Sequence, residues 1–326
     1  MTSALTFGTG VEAPPPGRYA GIPQDLYHHW DACSNSRLGL LRRSPAHLRA
    51  NVLRGTAETD ALRLGSAMHM CVLEPEIFEV RYQAKGQCAA FTGGGKGPRC
   101  SSNGKILMES GEMFCGTHKP EGRVDTVRTL LDPEDYAACH EMRDAAKRKR
   151  RAANLIAAAG DFELSIVWHE TVEVMIDGEL IGVTLPMKGR LDHYSPDLEN
   201  GTILDLKSTE DAQEASFMRT IFKYGYHRQG WLYRRGSRKV GLPVENYTIL
   251  AMEKAAPFEV GVFRLMEAAL DAGENVTMNL IKLYARCKHT GEWPGYPDRV
   301  RDITLPDWGW QATDDEAKEL EETRHL

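Results

Sequence analysis

The chain of 326 residues has a net charge of −6 and 42% hydrophobic residues; this suits one large globular domain or two small ones and excludes a passive, charge-driven coat for nucleic acid, though not a focused basic groove. No apolar run reaches the length of a membrane span and residues 1–17 lack the basic-then-apolar order of a secretory signal, so the expected setting is the cytoplasm, with no membrane partner. Seven cysteines, an odd number, read in a reducing compartment as free thiols or metal ligands rather than as a disulfide framework.

Residues 1–18 are rich in Gly and Pro and read as a flexible arm ahead of a body spanning 19–326. Ser36 is placed to cap a helix running to about Leu41 and broken near Pro45, and Leu62 to Leu73 reads as a second helix ended by Glu74-Pro75. His69 falls on the inward stripe of that helix with Leu62, Gly65, Ser66 and Leu73, as a hydrogen-bonded core histidine or as a ligand; the helix alone does not decide. The character then changes: residues 86–120 hold Gly93-Gly94-Gly95, few large apolar residues and three of the cysteines. There Cys88, Cys100, Cys115 and His118 form C-x11-C-x14-C-x2-H, whose closing Cys115-Gly116-Thr117-His118 resembles the end of small treble-clef-like or knuckle-like zinc motifs. A segment with so little apolar content needs a staple, and a structural Zn²⁺ is the expectation. An iron–sulfur cluster, or a Gly-rich loop with incidental thiols, is the alternative.

A long helix is predicted from Pro133 to about Ala159, and its basic run Lys147-Arg148-Lys149-Arg150-Arg151 reads as a solvated face or a DNA-backbone contact. Strands follow at Glu170–Ile176, 182–194 and 202–208, then one helix from Asp211 to Arg235, strands at Tyr247–Glu253 and Phe258–Leu265, and a last helix. Helices, a three-strand meander, a crossover helix and further strand predict a mixed central sheet flanked by helices, an α/β fold.

Within the meander, Leu204-Asp205-Leu206-Lys207 turns two leucines to one face and two charges to the other. The turn-rich 195–201 between the strands makes a hairpin that brings Asp192 beside Asp205. Two adjacent carboxylates repel unless a cation lies between them, and oxygen ligands select Mg²⁺ or Mn²⁺. A surface hairpin with a local Asp–Lys ion pair is the competing reading. Further on, Gln229 and Tyr233 share a helical face at i, i+4. The aromatics there are interleaved with Lys223, Arg228, Arg234 and Arg235, which suits phosphate contact and base stacking, or marks an amphipathic helix whose rings are core.

Taken in order, His69, Gly189-Arg190-Leu191-Asp192, Asp205-Leu206-Lys207 and Gln229-Gly230-Trp231-Leu232-Tyr233 resemble the PD-(D/E)XK nuclease superfamily in its RecB-like branch. Within that branch the pattern resembles the RecE-like (exonuclease VIII) family. The likeness extends to Tyr19–Leu40, Gly65–Pro75, Glu163–Trp168, Tyr226–Gln229, Gly291–Pro294 and Leu305–Trp308. It departs at Leu191, where the motif has Pro, and across 86–120. The resemblance implies a restriction-endonuclease-like core in which His69, Asp192, Asp205 and the Leu206 carbonyl hold the metal. Lys207 then acts on the attacking water and the phosphate charge, Gln229 and Tyr233 complete the catalytic set, and Lys223, Tyr226 and Arg228 meet DNA. Glu163 is expected to shape the site without a catalytic role. By resemblance the activity is a metal-dependent exonuclease acting 5′ to 3′ on linear duplex ends in phage or prophage recombination. The same likeness suggests a homo-oligomer, a ring-shaped tetramer, and a single-strand-annealing recombinase as partner. A DNA-binding or assembly module without turnover, or an endonuclease or single-strand nuclease, are the alternatives.

Overall fold

In a computed structural model, residues 11–54, 59–92, 97–118 and 122–323 are described; the first ten residues of the expected arm and Gly93-Gly94-Gly95 lie outside them. Along Asp161–Ile176 the side chains of Glu170, Val172, Val174 and Ile176 are buried while Thr171, Glu173 and Met175 are exposed, the period-two signature of a strand with one wet face. Its first half, Leu164 to Trp168, is buried throughout. That half shows no alternation, which is why the strand was expected to begin only at Glu170. The turn Asp177-Gly178, both residues at positive φ (51° and 87°), returns the chain into Glu179–Ser195 with Ile176 opposite Glu179, as a two-residue hairpin requires.

The chain order is β1 (Gly17–Tyr19), α1 (Gln24–His29), α2 (Asn35–Arg43), α3 (Pro45–Arg54), α4 (Asp60–Leu73), α5 (Pro75–Arg81), β2 (Tyr82–Ala84), β3 (Ile106–Leu107), β4 (Met113–Phe114) and β5 (Thr129–Leu131). Then come α6 (Pro133–Arg148), α7 (Arg150–Ile156), the hairpin β6 (Asp161–Ile176) and β7 (Glu179–Ser195), β8 (Thr202–Thr209), α8 (Glu214–Tyr224), α9 (Tyr226–Lys239), β9 (Asn246–Glu253), β10 (Val260–Arg264) and α10 (Glu267–Thr290). Residues from Pro294 form a second compact unit, which carries α11 (Asp307–Thr323). The central sheet has the order β1-β6-β7-β8-β9-β10; β8 and β9 run parallel and its other pairs antiparallel. The parallel step needs a crossover, supplied by α8 and α9.

Two cores lie on the two faces of this sheet. One joins Leu191, Ile203, Tyr247 and Ile249 to α2, α9 and α10. The other joins Leu204, Leu206, Leu250 and Met252 to α4 and α6. The alternating membership of 203, 204 and 206, and of 249 and 250, is the strand period at work. The fold is thus a mixed α/β sheet flanked by helices. No described helix is long and apolar enough to cross a membrane.

Several boundaries differ from the sequence reading. Ser34, not Ser36, caps α2, its side chain accepting from the Arg37 amide. The expected helix from Pro133 breaks at Lys149, whose extended backbone (φ −86°, ψ 105°) separates α6 from α7. The expected helix Asp211–Arg235 is two, split at Gly225 in the left-handed conformation (φ 74°), which glycine adopts without steric cost. Within the 86–120 segment, β3 pairs β4, Gln87 bridges Asn103 and Phe91 bridges Arg99. The parallel pair β2–β5 closes its base.

Candidate active site

The ladder between β7 and β8 ends at His193↔Leu204. One step further Asp192 and Asp205 would stand opposite each other, but the strands part there. The Leu206 amide, freed from the ladder, donates to Asp192 Oδ2 at 2.7 Å. Asp192 turns toward α4, where His69 Nδ1 lies 3.4 Å from the same oxygen. Asp205 turns to the other face, where Gln229 Nε2 of α9 donates to its Oδ1 at 2.9 Å. Both carboxylates therefore border the gap between diverging strands, one reached from each helical layer.

A third carboxylate joins them. Phe162 pairs with His193 and Leu164 with Leu191, so the register sets Glu163 across from Asp192, and Glu163 takes φ of 50°. His69, Glu163 and Asp192 present ligand atoms within 4.8 Å of one another, and Arg190 Nε lies 3.1 Å from Glu163 Oε2. Burial and the charge of Asp192 push the Glu163 carboxyl up to about 8, against the pull of Arg190. Glu163, which the resemblance gives only a shaping role, stands here among the candidate ligands. The signal that places it among candidate ligands is the register itself, hidden because the buried first half of β6 lacks alternation.

Asp205 is fully buried and ion-paired with Lys207. Burial, reinforced by Asp192, raises its pKa despite that partner. Burial works against the Lys207 ammonium, yet Asp205 and Asp192 outweigh it and hold its pKa above the ordinary lysine value. The two charges share one strand face, as period two requires, but Asp205 sits in the interior rather than in an open cleft. The Tyr226 ring lies 5.1 Å from Lys207 Nζ. Tyr233 packs under β7, where a Cβ on Gly189 would come within 3.2 Å of its ring; this is a close approach that a side chain at 189 would crowd. Of the ligands expected from the sequence, His69 and Asp192 meet, and Glu163 joins them; Asp205 lies outside that group, its Oδ1 taken by Gln229 and its Oδ2 by Lys207. A histidine with two carboxylates suits a hard divalent cation.

The residues expected from the sequence to meet DNA separate. Lys223 is exposed, with its ammonium 5.3 Å from the Tyr224 ring. Tyr226 is half-buried, and Arg228 is buried, only 8% exposed. In the basic run, Lys149 pairs with Glu259 at 2.7 Å while Arg150 and Arg151 are exposed.

In the 86–120 segment, Cys88, Cys100, Cys115 and His118 bring ligand atoms within 4.8 Å of one another. His118 Nδ1 lies 3.3 Å from Cys115 Sγ and 3.6 Å from Cys88 Sγ. Backbone amides of His118 and Thr117 lower the Cys115 thiol to about 6, so a thiolate is accessible near neutrality. The three sulfurs form their own small buried cluster. This group could hold a metal.

Residues 34–304 match the family described as PDDEXK-like domain of unknown function (DUF3799). No curated protein matches the chain. Among solved structures, a candidate exonuclease from Eubacterium rectale is 13% identical, with 88% of this chain and 97% of that chain covered and a TM-score of 0.52, a likeness of fold alone. A second solved chain, SSO0001, is 13% identical over 42% of this chain and 58% of that one, with a TM-score of 0.23, too slight to carry an argument.

Proposed function

The chain belongs to the PDDEXK-like family matched by residues 34–304, and from that premise we propose that it is a metal-dependent DNA exonuclease acting on linear duplex ends. The observation that carries this reading is the meeting of His69, Glu163 and Asp192 beside the buried Asp205–Lys207 pair. Direction 5′ to 3′, a role in phage or prophage recombination, a ring-shaped homo-oligomer and an annealing recombinase as partner complete the reading. They rest on the resemblance to RecE-like enzymes.

His69, Asp192 and Asp205, with the Leu206 carbonyl and Glu163, would hold Mg²⁺ or Mn²⁺. When bound, such an ion supplies charge for a phosphoryl oxygen and makes water a better nucleophile. The residues of the chain do the rest. Lys207, kept as an ammonium by Asp205, orients the water and offsets charge growing on the phosphate. Gln229 fixes the Asp205 carboxylate through the 2.9 Å hydrogen bond, and Tyr233 beneath it fills the space left by Gly189. The Leu206 amide holds Asp192 in the gap. Zn²⁺ at Cys88, Cys100, Cys115 and His118 would serve the insertion, as tetrahedral sulfur-rich sites do in small segments.

Digestion of end-labelled linear duplex and closed circular DNA, with Mg²⁺ or with excess chelator, tests the reading. Loss of the linear substrate alone, only with Mg²⁺, is expected. Cutting of the circle would replace exonuclease with endonuclease, and no digestion of either would leave a DNA-binding module.

A further inference from the structure

The first turn of α9 holds an arginine, Arg228, that is mostly buried while its guanidinium nitrogens still reach solvent. Arg228 is 8% exposed, and among the described residues its guanidinium makes no ion pair or hydrogen bond. The neighbouring charge that acts on it is a second cation, Arg42 of α2. Arg42 and Arg228 both act on His227, whose ring is tied to the Ile221 carbonyl. The guanidinium lies over Gly225: a Cβ there would come within 2.0 Å of Nη2 and 2.3 Å of Nε. Gly225 begins α9, a 14-residue helix whose start has no side-chain cap and no acidic residue in its first turn.

Burying most of an arginine side chain without a partner is unfavourable, and a second cation beside it makes it more so. Packing does not need that arrangement, since an apolar side chain would fill the same space. Arg42 and the positive end of α9 add to the charge, and the planar fork of arginine fits phosphate oxygens two at a time. The next residue, Gln229, touches Asp205, and Tyr226 covers Lys207, so this charge occupies the same helical turn as the two side chains that contact the proposed catalytic pair.

We propose that Arg228 and Arg42, at the uncapped start of α9, form a pocket for a phosphate group of the bound DNA strand other than the one being cut. The proposal deepens the nuclease reading and rests on it for the identity of the ligand. The phosphate is either the terminal monoester of a 5′ end or an internal diester, and the two are distinguished by the substrate.

The test compares wild type with Arg228→Leu and with Arg42→Ala, whose side chain is exposed. In phosphate-free buffer Arg228→Leu should melt at or above the wild-type temperature, because an unpaired, mostly buried charge has been removed. Inorganic phosphate should raise the melting temperature of wild type, less so Arg42→Ala, and leave Arg228→Leu unmoved. In cleavage of linear duplexes, both variants should raise KM by about 10-fold or more, the scale of one charge-assisted hydrogen bond, with kcat little changed. If the ligand is the terminal monoester, wild type should show the same KM rise on 5′-hydroxyl ends. If it is an internal diester, wild type should cut both ends alike and the variants should lose on both. A phosphate shift equal in all three proteins, or an Arg228→Leu protein melting well below wild type without phosphate, would overturn the pocket. Failure of wild type to cut any DNA would instead sink the nuclease reading, and the phosphate shift would still decide the pocket.

Discussion

Glu163 sits in a left-handed backbone conformation (φ 50°), one that costs a non-glycine residue of order 1–3 kcal/mol and is retained where the surroundings impose it. Here it keeps a half-buried carboxylate beside Asp192 and His69. If that carboxylate is a ligand, Glu163→Gln should weaken Mn²⁺ affinity by about 10-fold or more, the scale seen when a metal site loses an orienting or ligating group. Isothermal titration of the apo protein checks this, and unchanged affinity would return Glu163 to a shaping role. At this scale the sequence was legible where chemistry repeats: Asp192, Asp205 and Lys207 could be read from strand period and turn residues. Two things were not visible in it. Glu163 depended on a register that a doubly buried strand conceals, and the burial of Arg228 depended on how α9 packs against α2.

Among the elements, β7 is held to α1 by one side chain. Lys188, 3% exposed, donates to the carbonyls of Tyr27, His28 and Trp30 at 2.6, 3.2 and 2.9 Å. These carbonyls lie at the end of α1, where Tyr27 also accepts from the Trp30 amide at 3.4 Å and Trp30 from the Ala32 amide at 2.9 Å. Lys188→Met would remove the donor that all three share, and each lost hydrogen bond costs about 0.5–1.5 kcal/mol, more where an acceptor is left unsatisfied. The expected result is a lowered melting temperature and faster proteolysis within residues 24–30; an unchanged cleavage pattern would show that α1 is held by its packing alone. The insertion is a second separable element. Purified protein should contain about one zinc per chain by elemental analysis, lost in Cys115→Ser. Iron with a visible absorption band, or no metal, would contradict the zinc assignment. The element order was legible because hydrophobic period changes between helix and strand. The breaks at Lys149 and Gly225 were not: both interrupt sequences of good helix-forming character, and what separates α8 from α9 is a backbone angle that Gly225 permits but does not announce.

For the whole fold, the sheet matters because its one parallel step, β8 to β9, forces a crossover and so lays α9 across the point where β7 and β8 part. His69 reaches that point from one face, Gln229 and Tyr226 from the other, and Asp192 and Asp205 border the gap between. The proposed function makes this gap a metal-dependent cleavage site in which Lys207 acts on the reaction and Asp205 on the metal. Single-turnover cleavage of linear duplex DNA by Lys207→Ala and Asp205→Ala, with Mn²⁺ titration of each, tests it most directly. Lys207→Ala should keep its metal and DNA affinity while cleavage falls by ~10²-fold or more, the scale of one positioned charge or acid–base group, and Asp205→Ala should lose both metal affinity and cleavage. Near wild-type cleavage by Lys207→Ala would contradict it and reduce Asp205 and Lys207 to a buried structural ion pair.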